Sequence, residues 1–148
     1  MGQWSLAERG QIFIHACVDP LPGVNAGLAL PSFFRTLLVA VSFRLVTDAN
    51  VINRYPGIQY TPHDAVPFYA MCPTACVAST TYNVYLSRNG PETPQLFGNY
   101  YTARLTGPEE LGSGGGLSTY ISLLQATDQV SACRFWVRRW ASPEIDGE

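Results

Sequence analysis

The sequence predicts an all-β single domain, an antiparallel β-sandwich of about seven or eight strands that is either jelly-roll-like or immunoglobulin-like. Three observations carry that expectation. Short runs alternate apolar and polar residues with a period of two, which is how a strand places one face in a core. Clusters of Pro, Gly, Asn and Asp separate the runs, because these residues supply turn conformations or withhold a ladder donor. No long segment shows the 3.6-residue period of an amphipathic helix.

Residues 1–10 form a polar arm with an isolated Trp4. Such an arm is either disordered or laid against a neighbouring subunit. Residues 11–140 form the sandwich domain. Gln11 to Asp19 alternates Ile12, Ile14, Ala16 and Val18 against Phe13, His15 and Cys17, and ends at Pro20, Pro22 and Gly23. Leu37 to Val46 is the central strand, begun as early as Phe33. It places Leu37, Val39, Val41, Phe43 and Leu45 on the core parity and Leu38, Ala40, Ser42, Arg44 and Val46 on the other. Thr47 to Asn50 is a turn. Val51 to Tyr60 resumes as a strand, with a bulge or edge position at Pro56-Gly57.

Val66 to Cys72 is a short strand. In Cys76 to Ser87, residues Ala78, Thr80, Tyr82, Val84 and Leu86 share one face, and Arg88-Asn89-Gly90-Pro91 turns the chain. Tyr100 to Leu105 directs Tyr101, Ala103 and Leu105 one way. Gly107 to Gly116 is a Gly-rich loop. Leu117 to Ala126 is a strand or a short helix, tilted to strand by Thr119, Tyr120 and Ile121. Val130 to Trp140 closes the domain with Cys133, Phe135 and Val137 inward and Arg134, Trp136, Arg138 and Trp140 outward. Arginine alternating with tryptophan on an outer face predicts cation–π stacking, across strands or across subunits. Residues 141–148 form an acidic tail.

Composition narrows the function classes. At 148 residues the chain has enough length for one self-sufficient core. Its hydrophobic fraction is 47%, while charged residues make up only 14% against a usual share of about 25%. Either part of the surface is covered by a partner, or the sandwich is well buried beneath a Ser/Thr/Asn surface. All nine basic residues are Arg and none is Lys. Arginine suits packed interfaces because it is weakly hydrated and stacks on rings; a GC-rich genome produces the same bias. A net charge of −2 argues against a nucleic-acid binder, which needs a basic face for phosphates. No signal-peptide pattern opens the chain, and no apolar run is long enough to span a bilayer, so no membrane partner is expected.

The chemical motifs are weak. Cys72 and Cys76 suggest a zinc knuckle, but the matching second pair is missing, and a disulfide between them is disfavoured in a cytoplasm. Cys17 and Cys133 sit inside strand patterns as small buried hydrophobes. His63-Asp64 and His15 offer triad components without a nucleophile-elbow motif. Gly112 to Gly116 lacks the Lys of a phosphate-binding loop. Asp48, Asp64 and Asp128 occupy turns, and Glu109-Glu110 lies in a loop. No catalytic residue, metal or cofactor is therefore expected. Trp4, Trp136 and Trp140, with Tyr55, Tyr60, Tyr69, Tyr82, Tyr85, Tyr100 and Tyr101, exceed the needs of one small core. Such rings anchor subunit interfaces or stack on sugars.

Two segments carry a family resemblance. Val41 to Pro56 resembles a strand–turn–strand unit of small virion proteins of tailed bacteriophages. Leu124 to Trp140, with its Asp-Gln turn and alternating strand ending near Trp, resembles the closing segment of the same proteins. The resemblance implies a non-enzymatic virion structural protein, a capsid decoration or cement subunit assembled in the host cytoplasm. Its partners would be the major capsid protein and copies of itself, as a homotrimer. The alternative is a receptor- or glycan-binding module of a tail or fibre. The candidate interface residues are Trp4, Arg44, Arg54, Arg134, Trp136, Arg138 and Trp140, with Arg44 and Arg54 expected to lie outside the core and meet partners.

Overall fold

In the computed structural model, the described residues are 10–31, 34–62, 66–107 and 114–141. They contain strands and no helix, so no helix is available to cross a membrane. The strands are β1 (Gln11–Ala16), β2 (Gly27–Ala29), β3 (Phe34–Val46), β4 (Gly57–Thr61), β5 (Phe68–Met71), β6 (Thr81–Ser87), β7 (Gln95–Phe97), β8 (Tyr100–Arg104), β9 (Gly116–Thr119) and β10 (Gln129–Ala141). They form a six-stranded sheet in the order β1-β10-β3-β6-β8-β7 and a four-stranded sheet in the order β2-β9-β4-β5. The described residues contain ten strands rather than seven or eight because β2 and β7 are only three residues long, too short for periodicity to reveal.

Both sheets feed one core. Val41, Phe43, Leu45, Val84, Leu86, Tyr101, Phe135 and Val137 come from the larger sheet, and Ile58, Tyr60 and Leu117 from the smaller. Burying each such side chain stabilises the fold by about 1.5–3 kcal/mol relative to exposure. Tyr60 and Tyr101 are fully buried and satisfy their hydroxyls by donating to the Thr106 and Thr74 carbonyls, at 2.8 and 2.7 Å. Pairing is antiparallel except between β6 and β8, which run parallel. The wholly antiparallel arrangement expected from sequence is corrected here. β7 folds back on β8 as a hairpin, so the chain between residues 88 and 99 returns β8 alongside β6 in the same direction.

Two irregularities revise the strand parities. In β10 the register shifts between Ser131 and Arg134, with Ala132 held at φ +50° and its N–H donating to Asp19 Oδ1 at 2.8 Å. The extra residue lets Val130 and Cys133, three apart, both face inward. A second shift makes Trp136 pair with Ala40 but Val137 with Leu38. In β3, inward residues below the shift are therefore Leu38 and Thr36, not Leu37 and Val39. Val41, Phe43 and Leu45 keep their expected place. The similarity of the two alternating strands suggests that they face each other across two layers, Phe43 and Leu45 on Phe135 and Val137, but they do not. β3 and β10 are neighbours in one sheet, with Val41 opposite Phe135 and Leu45 opposite Val130.

Residues 51–53 are not strand, and Arg54 and Tyr55 make only isolated bridges to Cys76 and Ser122. The ladder begins at Gly57, where a Cβ would run into the Ala70 carbonyl. Gly90 is likewise required, because a Cβ there would strike the Ala103 carbonyl.

Candidate functional site

The outer face of the six-stranded sheet gathers the aromatic and cationic residues. Antiparallel pairing sets Arg134 opposite Ser42 and Ala16, Trp136 opposite Ala40 and Ile14, and Arg44 opposite Asn83. Parallel pairing adds Tyr100 beside Asn83 and Thr102 beside Tyr85. Because side chains alternate across a strand, these positions share one surface. They line a shallow depression of about 470 Å³ that includes Arg44, Tyr85, Tyr100, Thr102 and Arg134. Tyr85 and Trp136 meet edge to face with ring centroids 6.1 Å apart. Arg44 and Arg134 are exposed, and neither has a hydrogen-bond or ion-pair partner among the described residues. The face offers flat rings flanked by two unpaired guanidinium groups, a surface suited to a planar or anionic group.

β1 extends this face to the sheet edge. Its Ile12 and Ile14 are 55% and 60% exposed, and Phe13, on the opposite parity, is 38% exposed. The other edge of the same sheet carries exposed Leu96 and Phe97 on β7, and the β5 edge of the smaller sheet carries exposed Phe68, Tyr69 and Met71. Between β5 and β8 lies an apolar cleft of about 320 Å³ lined by Met71, Cys72, Pro73, Leu86, Ala103 and Leu105. At its rim Arg104 pairs with Glu92 at 2.9 Å, a solvated contact of little energetic weight.

The expected cation–π stacking occurs with different partners. Arg35 of β3 lies over the Trp140 ring at 4.8 Å, across the pair that sets Trp140 opposite Arg35. Arg139 of β10 lies over Phe13 of β1 at 5.4 Å. Arg139 points inward after the register shift, and burial lowers its pKa. Burial first and the Arg139 charge second also lower the pKa of His15. Arg138 is half-buried on the outer side.

Arg54 does not belong to this surface, which corrects the expectation that it meets partners. Its side chain is fully buried and donates to Asp128 from Nε and Nη2, both at 2.9 Å. It also donates to Asp48 from Nη2, and to the Asn50 and Ile52 carbonyls from Nη1 at 2.8 and 2.6 Å. All five guanidinium hydrogens are thereby used, and the charge is matched by two carboxylates. Asp48 and Asp128 take backbone N–H groups as well, in keeping with their expected turn roles. Sequence reasoning missed this site because its two halves are far apart in the chain. Trp4, His63 and Asp64 lie outside the described residues.

No group of three or more metal-ligating side chains converges among the described residues. Cys72 and Cys76 are buried free thiols, pushed up by burial to about 11 and about 12. Neither known protein-family models nor curated protein sequences match this chain.

Proposed function

We propose that this chain is a non-enzymatic assembly subunit, a β-sandwich-type virion structural protein of the capsid decoration or cement class. It self-associates as a homotrimer and binds the major capsid protein. The observation that carries this reading is the apolar character, among the described residues, of three of the four sheet edges, at β1, β5 and β7. Proteins that remain monomeric guard such edges with lysine, inward charge or proline. Here the edges present Ile14, Phe68 and Phe97, and the chain has no lysine. The Arg44–Trp136 face adds the aromatic and arginine content of an interface centre. Two sheets sharing one core support the sandwich-type packing, with one parallel pair, β6–β8, among antiparallel ones.

Sedimentation equilibrium of the purified chain, together with its copy number in purified particles, tests the proposal. A trimer present in hundreds of copies per shell is expected for a decoration protein. A chain that stays monomeric at every concentration and is absent from particles would end the idea.

A second reading rests on the depression beside Tyr85 and Tyr100: a receptor- or glycan-binding module, with rings stacking on sugars and Arg44 and Arg134 meeting acidic groups. Binding to a glycan array without binding to capsids would favour it over the first.

A further inference from the structure

Cys17 and Cys133 sit in a relationship that their positions in sequence do not suggest. The β1–β10 register sets His15 opposite Phe135 and Ala16 opposite Arg134. One step further along that register, Cys17 faces Cys133, and the Cys17 N–H donates to the Cys133 carbonyl at 2.9 Å. Directly opposed antiparallel residues have Cα atoms about 4.5–5.5 Å apart, inside the window of about 4.4–6.8 Å that a disulfide spans. Both side chains emerge on the same side of the pair, so the two thiols are direct cross-strand neighbours. Both are free thiols in this structure.

We infer that Cys17 and Cys133 form an oxidisable dithiol, a site of covalent modification that closes into a cross-strand disulfide and fastens edge strand β1 to β10. The inference stands independently of any assembly role.

The environment assigns the two sulfurs different parts. Cys17 is half-buried, and the hydrogen bond shared with Cys133 lowers its pKa. Cys133 is buried, and the same hydrogen bond, then burial, raise its pKa. Cys17 is thus the attacking thiolate and Cys133 the resolving thiol. With a small-molecule disulfide such as oxidised glutathione as oxidant, the Cys17 sulfur attacks one sulfur of the reagent and expels one glutathione thiolate. Cys133 then gives up its proton, attacks the Cys17 sulfur of the mixed disulfide and expels the second glutathione. The protein loses two protons and two electrons, and the reagent becomes two thiols. Cys72 and Cys76 are poor competitors, since burial holds both as neutral thiols.

The test uses the full chain incubated with oxidised glutathione, followed by intact mass measurement and peptide mapping without reductant. The expected product has lost two hydrogens, yields a linked Cys17–Cys133 peptide pair, and melts several degrees higher than the reduced protein because a long loop is closed. In Cys17→Ser no linked product forms and the melting gain disappears. Cys133→Ala, which keeps the half-buried thiol, should instead accumulate a stable glutathione adduct on Cys17. A Cys72–Cys76 link, or a glutathione adduct on Cys17 of the unaltered chain that never resolves, would overturn the inference.

Discussion

The Arg54 guanidinium and the Asp128 carboxylate form a forked ion pair with both side chains fully buried, between residues 74 positions apart. The pair pins the end of the β3–β4 connection to the turn before β10. Asp128 also accepts the Asp48 and Gln125 N–H groups, each at 2.7 Å, so one carboxylate ties the β3–β4 connection to its own turn at two points.

Removing one partner should therefore be costly. Arg54→Met leaves a buried carboxylate unpaired and is expected to destabilise the domain by about 3–5 kcal/mol, read as a fall in urea midpoint. Adding Asp128→Leu should restore only part of the loss, because two backbone N–H groups then lose their acceptor. A single variant with the parent's midpoint would show that the network is not structural.

Phe43 tests the core. It is buried within the sheet where β3 pairs with β6, opposite Val84. Phe43→Ala should cost about 3–5 kcal/mol, and an unchanged melting temperature would remove it from the core.

Acid should weaken the fold through Asp48. The hydroxyl hydrogen bond from Thr127 is the leading cause that holds its carboxyl below the ordinary value, with the Asn50 N–H and Arg54 adding to it. The unfolded chain titrates at about 3.9 and the folded one lower, so this stabilisation is complete above the ordinary value. It fades as the pH falls through the folded pKa. Thr127→Val should move the Asp48 carboxyl resonance midpoint upward in an NMR titration; an unmoved midpoint would contradict the assignment.

At high pH the corresponding group is Tyr60. Burial pushes its phenol up to about 12, above the ordinary value of 10. A raised pKa on a group that is neutral when protonated gives stability that is present below pH 10 and lost as the pH rises toward 12. Tyr60→Phe should flatten that alkaline loss. A spectrophotometric titration of the native protein in which every tyrosine ionises near 10 would count against it.

The edge is open to direct test. Ile14→Lys places a charge on an exposed β1 position without disturbing the core, so the melting temperature of the monomer should hold within about 0.5 kcal/mol of stability. Self-association should fall sharply. A variant that assembles like the parent would free β1 from the interface.

Much of the strand content was legible because alternation is a local property. Tyr82, Val84 and Leu86 face inward as their spacing predicts, as do Tyr101 and Ala103, and Cys133, Phe135 and Val137. Parity breaks were not legible. Nothing in Leu37 to Val41 announces that the inward set switches parity between Leu38 and Val41, because the shift arises from how β10 seats against β3. The candidate surface divides in the same way. Arg134 and Trp136 reach the outer face by alternation alone, whereas Arg54 leaves the expected interface because Asp128 and Asp48 close around it.

By itself, the sequence determined that the chain is built of strands and where the longer ones lie, β3, β6, β8 and β10 among them, since alternation follows from side chains two residues apart. Only the tertiary structure decided that β3 and β10 are sheet neighbours, that β6 and β8 run parallel, that Arg54 is buried, and that Cys17 faces Cys133. Each of these joins residues distant in the chain, and no local pattern encodes which distant strand supplies the partner.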